Sequence, residues 1–373
     1  MSTSRVASPW PHRALPLLLL LFGHPVAQAE DAAAPGATRV AKWKDDKKTV
    51  FLLMFDDSVN SHITNVVPEL KKRGMVGTFY INPGAAWYKT SLDAWERAIP
   101  ADGMVYGNHT MTHAGAKDAA QLETELAGCD AAIAKAFPAL KTPRLVSFGR
   151  PGVKKEQWLV TDEEVRQALA KHHLVERPSV GGRIAGVTQK TGEEILRLAD
   201  KALEGGGLEQ ILFHGVGGDW LSLPLPEFLA LLDGLDARKD RLWVTDPISA
   251  HQYETERAGA EAKALEAGAA KIRLSLACKA DPALYDHPLT LVTRVPAGWK
   301  QCQVTQGKTK ATIAAVPSSL WSTGKSRTAP MKPLRDGPII MGNPSLLNSP
   351  SRRIISRLCS RFFPNPIPGS RII

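Results

Sequence analysis

Cysteine and long apolar runs are both scarce in this sequence. The 4 cysteines among 373 residues are Cys129, Cys278, Cys302 and Cys359, and none shows the C-x-x-C spacing of a metal finger. The apolar run Leu15–Phe22 is about eight residues, against the roughly 20 that a membrane-spanning helix needs, and no later segment is long or apolar enough. No internal repeat of fixed period stands out, which argues against a solenoid or propeller. Acids are nearly absent from the end of the chain: from Lys300 onward there are 12 Lys/Arg and one acid, Asp336. The net charge of +10 therefore sits in that tail, because 35 basic and 36 acidic residues precede it. The main body gives no reason to expect a nucleic-acid partner.

At 43% hydrophobic and 23% charged residues, with 27 Pro and 30 Gly, the chain should fold around a real core rather than be disordered, collagen-like or a coiled coil. At roughly 150 residues per domain the length suggests about two domains. Arg5 and Arg13 precede the Leu15–Phe22 run, and Ala27 and Ala29 follow it as Ala-x-Ala, the pattern of a secretory signal over 1–29 with cleavage after Ala29. A short uncleaved anchor is the alternative. Export would permit disulfides, and Cys278 with Cys302 is the pair to consider, free thiols being the other reading.

After a linker over 30–48, short apolar runs alternate with helical patterns, the signal of βα units on a parallel sheet. Strands are expected at Val50–Phe55, Val76–Ile81, Met104–Tyr106, Leu145–Phe148, Gln210–Phe213 and Leu242–Val244. Helices are expected at His62–Arg73, Gln121–Phe137, Asp162–His172, Thr191–Leu203 and Glu227–Leu235, with Ile248–Gly268 as a last one. Six or seven such units suit an α/β fold closing as a barrel or near-barrel over 49–268. Period-two patterns then mark a small β module over 269–316, with Ile272, Leu274 and Leu276 on one face and Leu289, Leu291, Thr293 and Val295 on a second strand. The basic remainder, 317–373, reads as a flexible, irregular tail; alternatively Pro338–Met341 supplies a closing strand.

Barrel enzymes carry their chemistry where strands end. Three ends are unusual here: Phe55-Asp56-Asp57, Asn108-His109-Thr110-Met111-Thr112-His113 and Leu212-Phe213-His214. Adjacent carboxylates repel unless a cation is near, and Asp57 with His109 and His113 would give one carboxylate and two imidazoles, leaving positions open for water and substrate. Zinc, cobalt and nickel suit such a set alike, zinc being the first choice. Ser58 lacks a nucleophile elbow, and Gly205–Gly207 and Gly215–Gly218 lack the Lys-Ser/Thr of a phosphate loop. His172-His173 reads as solvated charge at a helix end, and Trp158, Trp243 and Tyr253 as packing.

These motifs resemble the polysaccharide deacetylases of the NodB homology domain, carbohydrate esterase family 4. Phe55-Asp56-Asp57 looks like that family's first motif, His109-Thr110-Met111-Thr112-His113 its second, Phe148-Gly149-Arg150-Pro151-Gly152 its Arg-Pro loop, and Leu212-Phe213-His214 its last. The resemblance spans about Thr49 to Val244. It implies a distorted (β/α) barrel and a metal-dependent hydrolase that removes N-acetyl or O-acetyl groups from an acetylated polysaccharide or oligosaccharide, and the signal pattern would make it an exported one. Asp57, His109 and His113 would hold the metal, Asp56 would be the general base, His214 the general acid, and Arg150 would pair with Asp56. The family's Asp that orients the catalytic histidine has no clean match. Asp162 and Asp200 lie in helical patterns, and Asp219-Trp220 could be a substitute carboxylate or a pocket wall. A carbohydrate-binding envelope protein without turnover, and an amidohydrolase acting on small amides, are the alternatives.

Overall fold

The computed structural model describes residues 34–315, 330–331 and 338–344. The expected signal peptide, Cys359 and most of the tail lie outside the described residues. Fifteen strands occur among those described: β1 (Thr38–Val40), β2 (Thr49–Asp56), β3 (Thr78–Ile81), β4 (Val105–Asn108), β5 (Val146–Phe148), β6 (Leu174–Glu176), β7 (Leu208–Phe213), β8 (Leu242–Thr245), β9 (Ala260–Ala267), β10 (Lys271–Cys278), β11 (Leu289–Thr293), β12 (Gln301–Gln306), β13 (Thr309–Ala314), β14 (Pro330–Met331) and β15 (Ile339–Gly342). The helices are α1 (Val67–Lys72), α2 (Ala86–Thr90), α3 (Ile99–Ala101), α4 (Ala119–Ala136), α5 (Asp162–Lys171), α6 (Gly192–Gly205), α7 (Leu225–Asp236) and α8 (Pro247–Gly259). No described helix is long and apolar enough to cross a membrane.

Seven parallel strands form the main sheet in the order β6-β5-β4-β3-β2-β7, with β8 pairing the start of β2. The fold is α/β, a curled parallel sheet that closes only part of a barrel. Strand β2 explains its own continuous apolar run: all eight residues are buried, as befits a central parallel strand covered on both faces. Phe51, Leu53 and Phe55 pack toward the helices, while Val50, Leu52 and Met54 face the interior. Four of the five longer helices begin on side-chain caps, Asp118 for α4, Thr161 for α5, Thr191 for α6 and Asp246 for α8, each accepting a backbone N–H of the first turn, while α7 starts after Pro224 without one.

The remaining strands form a three-stranded sheet, β1-β11-β14, and a five-stranded one, β13-β12-β15-β10-β9. Here the structure corrects two expectations, on the last helix and the tail, and decides between the two readings of the cysteines. The helix expected over Ile248–Gly268 stops at Gly259, and Ala260–Ala267 is a strand because its pairing with β10 outweighs the helix preference of its Ala, Glu and Lys residues. The tail is not wholly irregular, since Ile339–Gly342 lies between β10 and β12 with Ile339 and Met341 buried and Ile340 exposed. Cys278 and Cys302 are free. They sit on β10 and β12 with β15 between them, and two strand spacings of about 4.8 Å exceed the roughly 7 Å that a disulfide spans between Cα atoms. Nor is the module a detached unit: Ile272, Leu274 and Ile339 share one core with Val50, Leu52 and Met54.

Candidate active site

Register brings the polar strand ends to one rim. Phe55 aligns with Phe213, Asn108 with Phe148, and Phe148 with Glu176. The residues that follow, Asp56, His214, His109, Gly149 and Arg177, therefore emerge at one level. The turns beyond are tight: Asp57, Ser58, Thr110 and His113 have φ of 75°, 55°, 66° and 60°, conformations that non-glycine residues adopt at a cost of order 1–3 kcal/mol and that cluster at functional sites.

Asp57, His109 and His113 do come together. Nε2 of His109 lies 3.5 Å and Nε2 of His113 3.4 Å from Asp57 Oδ1, and one donor atom from each of the three falls within 4.8 Å of the others. The chemistry of the set fits a cation. His109 Nδ1 is 2.6 Å from the Gly149 carbonyl, which can only accept, so the neutral ring carries its proton on Nδ1 and presents a bare Nε2 toward Asp57. Tetrahedral bonds of about 2.1 Å place donor atoms about 3.4 Å apart, close to the spacings seen. Burial lowers the pKa of His113, which favours its neutral form.

The histidine loop is held from several sides. Asn108 Oδ1 accepts the Thr110 N–H at 2.9 Å, and its amide donates to the Leu126 carbonyl at 3.0 Å and to Asp130 at 2.8 Å. Glu125 receives the N–H and hydroxyl of Thr112 at 2.8 and 2.6 Å. Asn82 donates to the carbonyls of His109 and Thr110, while its own N–H goes to Ser58 Oγ, which gives Ser58 a structural task. His172 is not a solvated charge; it bridges Asp130 and Glu123 at 3.0 and 3.1 Å, behind Asn108.

Asp56 is buried and paired, but not with Arg150. The guanidinium of Arg177 binds both its oxygens, at 2.6 and 2.9 Å, and lies 4.4 Å over the Tyr80 ring. Burial alone would raise the Asp56 pKa; the Arg177 charge and its hydrogen bonds outweigh it and hold the carboxyl well below the usual range. Arg150 instead points outward, 3.1 Å from Asp162 and 5.0 Å over Trp158. Both arginines precede a proline after a strand, and the three-residue β6 that delivers Arg177 is too short to show periodicity. Gly149 keeps the path clear, because a Cβ there would meet Arg177 Cζ at 2.8 Å.

His214 closes the other side, its Nε2 3.9 Å from Asp57 Oδ2. Burial lowers its pKa, against the pull of Asp56 and Asp57. The Trp220 ring centroid is 4.5 Å from that of His214, whereas the Asp219 carboxylate is spent on the Ser61 N–H at 2.6 Å. Trp87 donates its indole N–H to the Asp57 carbonyl from the opposite edge. Buried Nδ1 of His214 has no hydrogen-bond partner among the described residues.

Residues 43–173 match the polysaccharide deacetylase family. This segment is a polysaccharide deacetylase domain. Carbohydrate deacetylation is the activity that family supports, by hydrolysis of acetyl amide or ester bonds. The matched segment contains Asp56, Asp57, His109 and His113 and stops before Arg177 and His214. Among curated proteins the chain is similar to a gellan lyase from Bacillus sp, 24% identical over 305 residues, covering 73% of this chain and 12% of that protein. The chain thus spans about an eighth of that relative's length. Among solved structures the deacetylase domain is similar to a family 4 carbohydrate esterase from Streptomyces lividans in complex with acetate, at 21% identity, 54% of this chain, 94% of that one and TM-score 0.38. A family 4 acetyl xylan esterase from Clostridium thermocellum in complex with a cobalt ion gives 21% identity, 54% and 89% coverage and TM-score 0.38. At these scores the fold assignment rests on the strand order itself.

Proposed function

We propose that the chain is an exported, divalent-metal-dependent deacetylase acting on N-acetyl or O-acetyl groups of a polysaccharide or oligosaccharide. The observation that carries this reading is the convergence of Asp57, His109 and His113, with their donor atoms within 4.8 Å, beside a buried carboxylate and a third histidine. Zinc is the first choice of metal, with cobalt or nickel able to replace it. Export rests on the Arg5, Arg13, Leu15–Phe22 and Ala27-x-Ala29 pattern, with the deacetylase domain following from residue 49.

When bound, the cation supplies Lewis acidity that polarises the acetyl carbonyl and lowers the pKa of water. Asp56, kept ionised by Arg177, takes the proton of the attacking water. His214 gives a proton to the departing nitrogen or oxygen, so that acetate and a free amine or hydroxyl leave. Trp220 covers one side of His214 and limits solvent there. Carbohydrate binding without turnover is the second reading, favoured by the lack of a carboxylate on His214 Nδ1 among the described residues.

Acetate release from acetylated chitin oligomers, peptidoglycan and acetylxylan by metal-loaded protein tests the proposal. Turnover on one of them, abolished by a chelator and restored by zinc, cobalt or nickel, is expected. Saturable sugar binding with no acetate from any substrate would replace the first reading with the second.

A further inference from the structure

With no carboxylate on its Nδ1 among the described residues, His214 needs another source of orientation, and the segment after β2 supplies one. That segment makes a single π-helical turn, His62–Val66, just before α1. Wide turns of this kind are uncommon and recur at functional sites. Three of its neighbouring side chains reach the strand end that carries His214: Ser61 Oγ accepts the Val216 N–H at 3.1 Å, Asn65 donates to the Val216 carbonyl at 2.7 Å, and His62 Nε2 lies 2.6 Å from the His214 carbonyl. Asp219 answers by taking the Ser61 N–H. The turn and the 214–219 loop are thus tied together at both ends.

We infer that His62 is the positioning residue of His214, acting through the His214 main chain in place of a carboxylate on its ring. The inference rests on the proposed role of His214 as proton donor. A carbonyl only accepts, so His62 must carry its proton on Nε2. Its Nδ1 is then a bare lone pair, buried without a partner among the described residues; the centroid of the His62 ring lies 5.4 Å from those of Phe55 and Phe79 and 6.4 Å from that of Trp95. An unpartnered buried nitrogen is costly. A phenylalanine would fill this aromatic nest without that cost, so packing gives no reason for a histidine; the single donated hydrogen bond does. Burial lowers the His62 pKa to about 4, so the ring stays neutral and holds one tautomer at neutral pH. With the main chain pinned and Trp220 against its face, the His214 ring points Nε2 toward Asp57 and leaves Nδ1 uncommitted.

Two substitutions separate the hydrogen bond from the packing. His62→Phe keeps a ring and loses the donor; His62→Gln keeps a donor within reach of the carbonyl. On whichever acetylated sugar the wild type turns over, His62→Phe should lower kcat by about 10- to 100-fold, the scale of a small misplacement of a reacting group, with KM and bound metal unchanged. His62→Gln should recover most of that loss. An unchanged kcat in a folded His62→Phe variant, or a His62→Gln variant no better than it, overturns the inference. Nitrogen NMR of histidine-labelled protein gives a readout independent of turnover. Wild-type His62 should be the Nε2–H tautomer with a slowly exchanging proton, and the His214 ring signals should move in His62→Phe but hardly in His62→Gln. A His62 protonated on Nδ1, or His214 signals that ignore the loss of the donor, overturns the inference even if the variants fold poorly. Should the wild type release no acetate while these signals behave as expected, the proposed activity fails and the positioning stands.

Discussion

The histidines on the two sides of Asp57 are held in opposite ways. On the β4 side the ring of His109 is itself tied, through Nδ1 to Gly149, and its loop is braced by Asn82, Asn108 and Glu125. On the β7 side the backbone of His214 is tied, by His62 and by the neighbouring Ser61 and Asn65, while its ring makes no hydrogen bond among the described residues. The difference matches the two kinds of work proposed for them. A metal ligand must present one lone pair at all times, so a fixed tautomer serves it. A proton donor must gain and lose a proton each cycle, and a ring whose orientation comes from its main chain can change protonation without breaking what holds it.

The largest effects should split along this line. His109→Ala or His113→Ala should remove most of the bound metal and nearly all turnover, whereas Asp56→Asn and His214→Ala should keep the metal and lower kcat by about 10² to 10⁴. Elemental analysis after dialysis, beside acetate release, checks both. Stoichiometric metal in the double His109→Ala, His113→Ala protein would erase the distinction between the two sides.

Next in size is the pair of arginines. Arg177→Met leaves the buried Asp56 carboxylate unpaired and should destabilise the protein by about 3–5 kcal/mol. Arg150→Met breaks an ion pair whose side chains are 40% and 81% exposed and should cost less than about 1 kcal/mol. Denaturant midpoints at one pH rank them; equal losses would mean that Asp56 does not depend on Arg177.

The smallest effect concerns pH. His62 titrates lower folded, at about 4, than unfolded, near 6.5. Between these values only the unfolded chain takes up the proton, so its share of stability is full above pH 6.5 and shrinks toward pH 4, by about 3 kcal/mol in all. The groups facing His62 are the His214 carbonyl and the carboxylates of Asp57, Asp219 and Asp56, and they already offset part of its burial. His113, His214 and His251 slope the same way, so the measurement is a difference: the melting temperature of His62→Phe should vary less with pH across this window than that of the wild type. Parallel curves would show that His62 is not held neutral. Asp56 has the same sign but acts lower, because its stabilisation is lost only as pH falls through and below the carboxylate range.

What was legible in the sequence followed from strand length and burial. Strand β2 is apolar from Val50 to Phe55 because both its faces are covered, so the polar pair after it stood out. The β4 and β7 ends stood out through His109, His113 and His214. Strand β6 is only Leu174-Val175-Glu176, too short for its pattern to set Arg177 at the rim, and Arg150 sits in the same Arg-Pro context. His62 was hidden for another reason. Nothing in the spacing of one histidine in a helical pattern shows that the turn widens to π or that a carbonyl 152 residues away awaits its proton. Ala260–Ala267 reads as helix in the sequence because its residues favour one, and only pairing makes it a strand.

The place of β15 has a consequence for how the chain must assemble as it is synthesised. Strands β9 with β10 and β12 with β13 emerge as two hairpins, but the strand that joins them arrives only after the 24 residues between Ala314 and Ile339. Until then β10 and β12 each present a row of unpaired backbone groups, the kind of open edge that recruits strands from other chains. Four residues, Ile339–Gly342, satisfy both edges at once and carry Ile339 and Met341 into the core shared with β2. A chain interrupted before residue 339 would carry every rim residue of the candidate site and still expose two sticky edges, making it a source of aggregation rather than a smaller working enzyme.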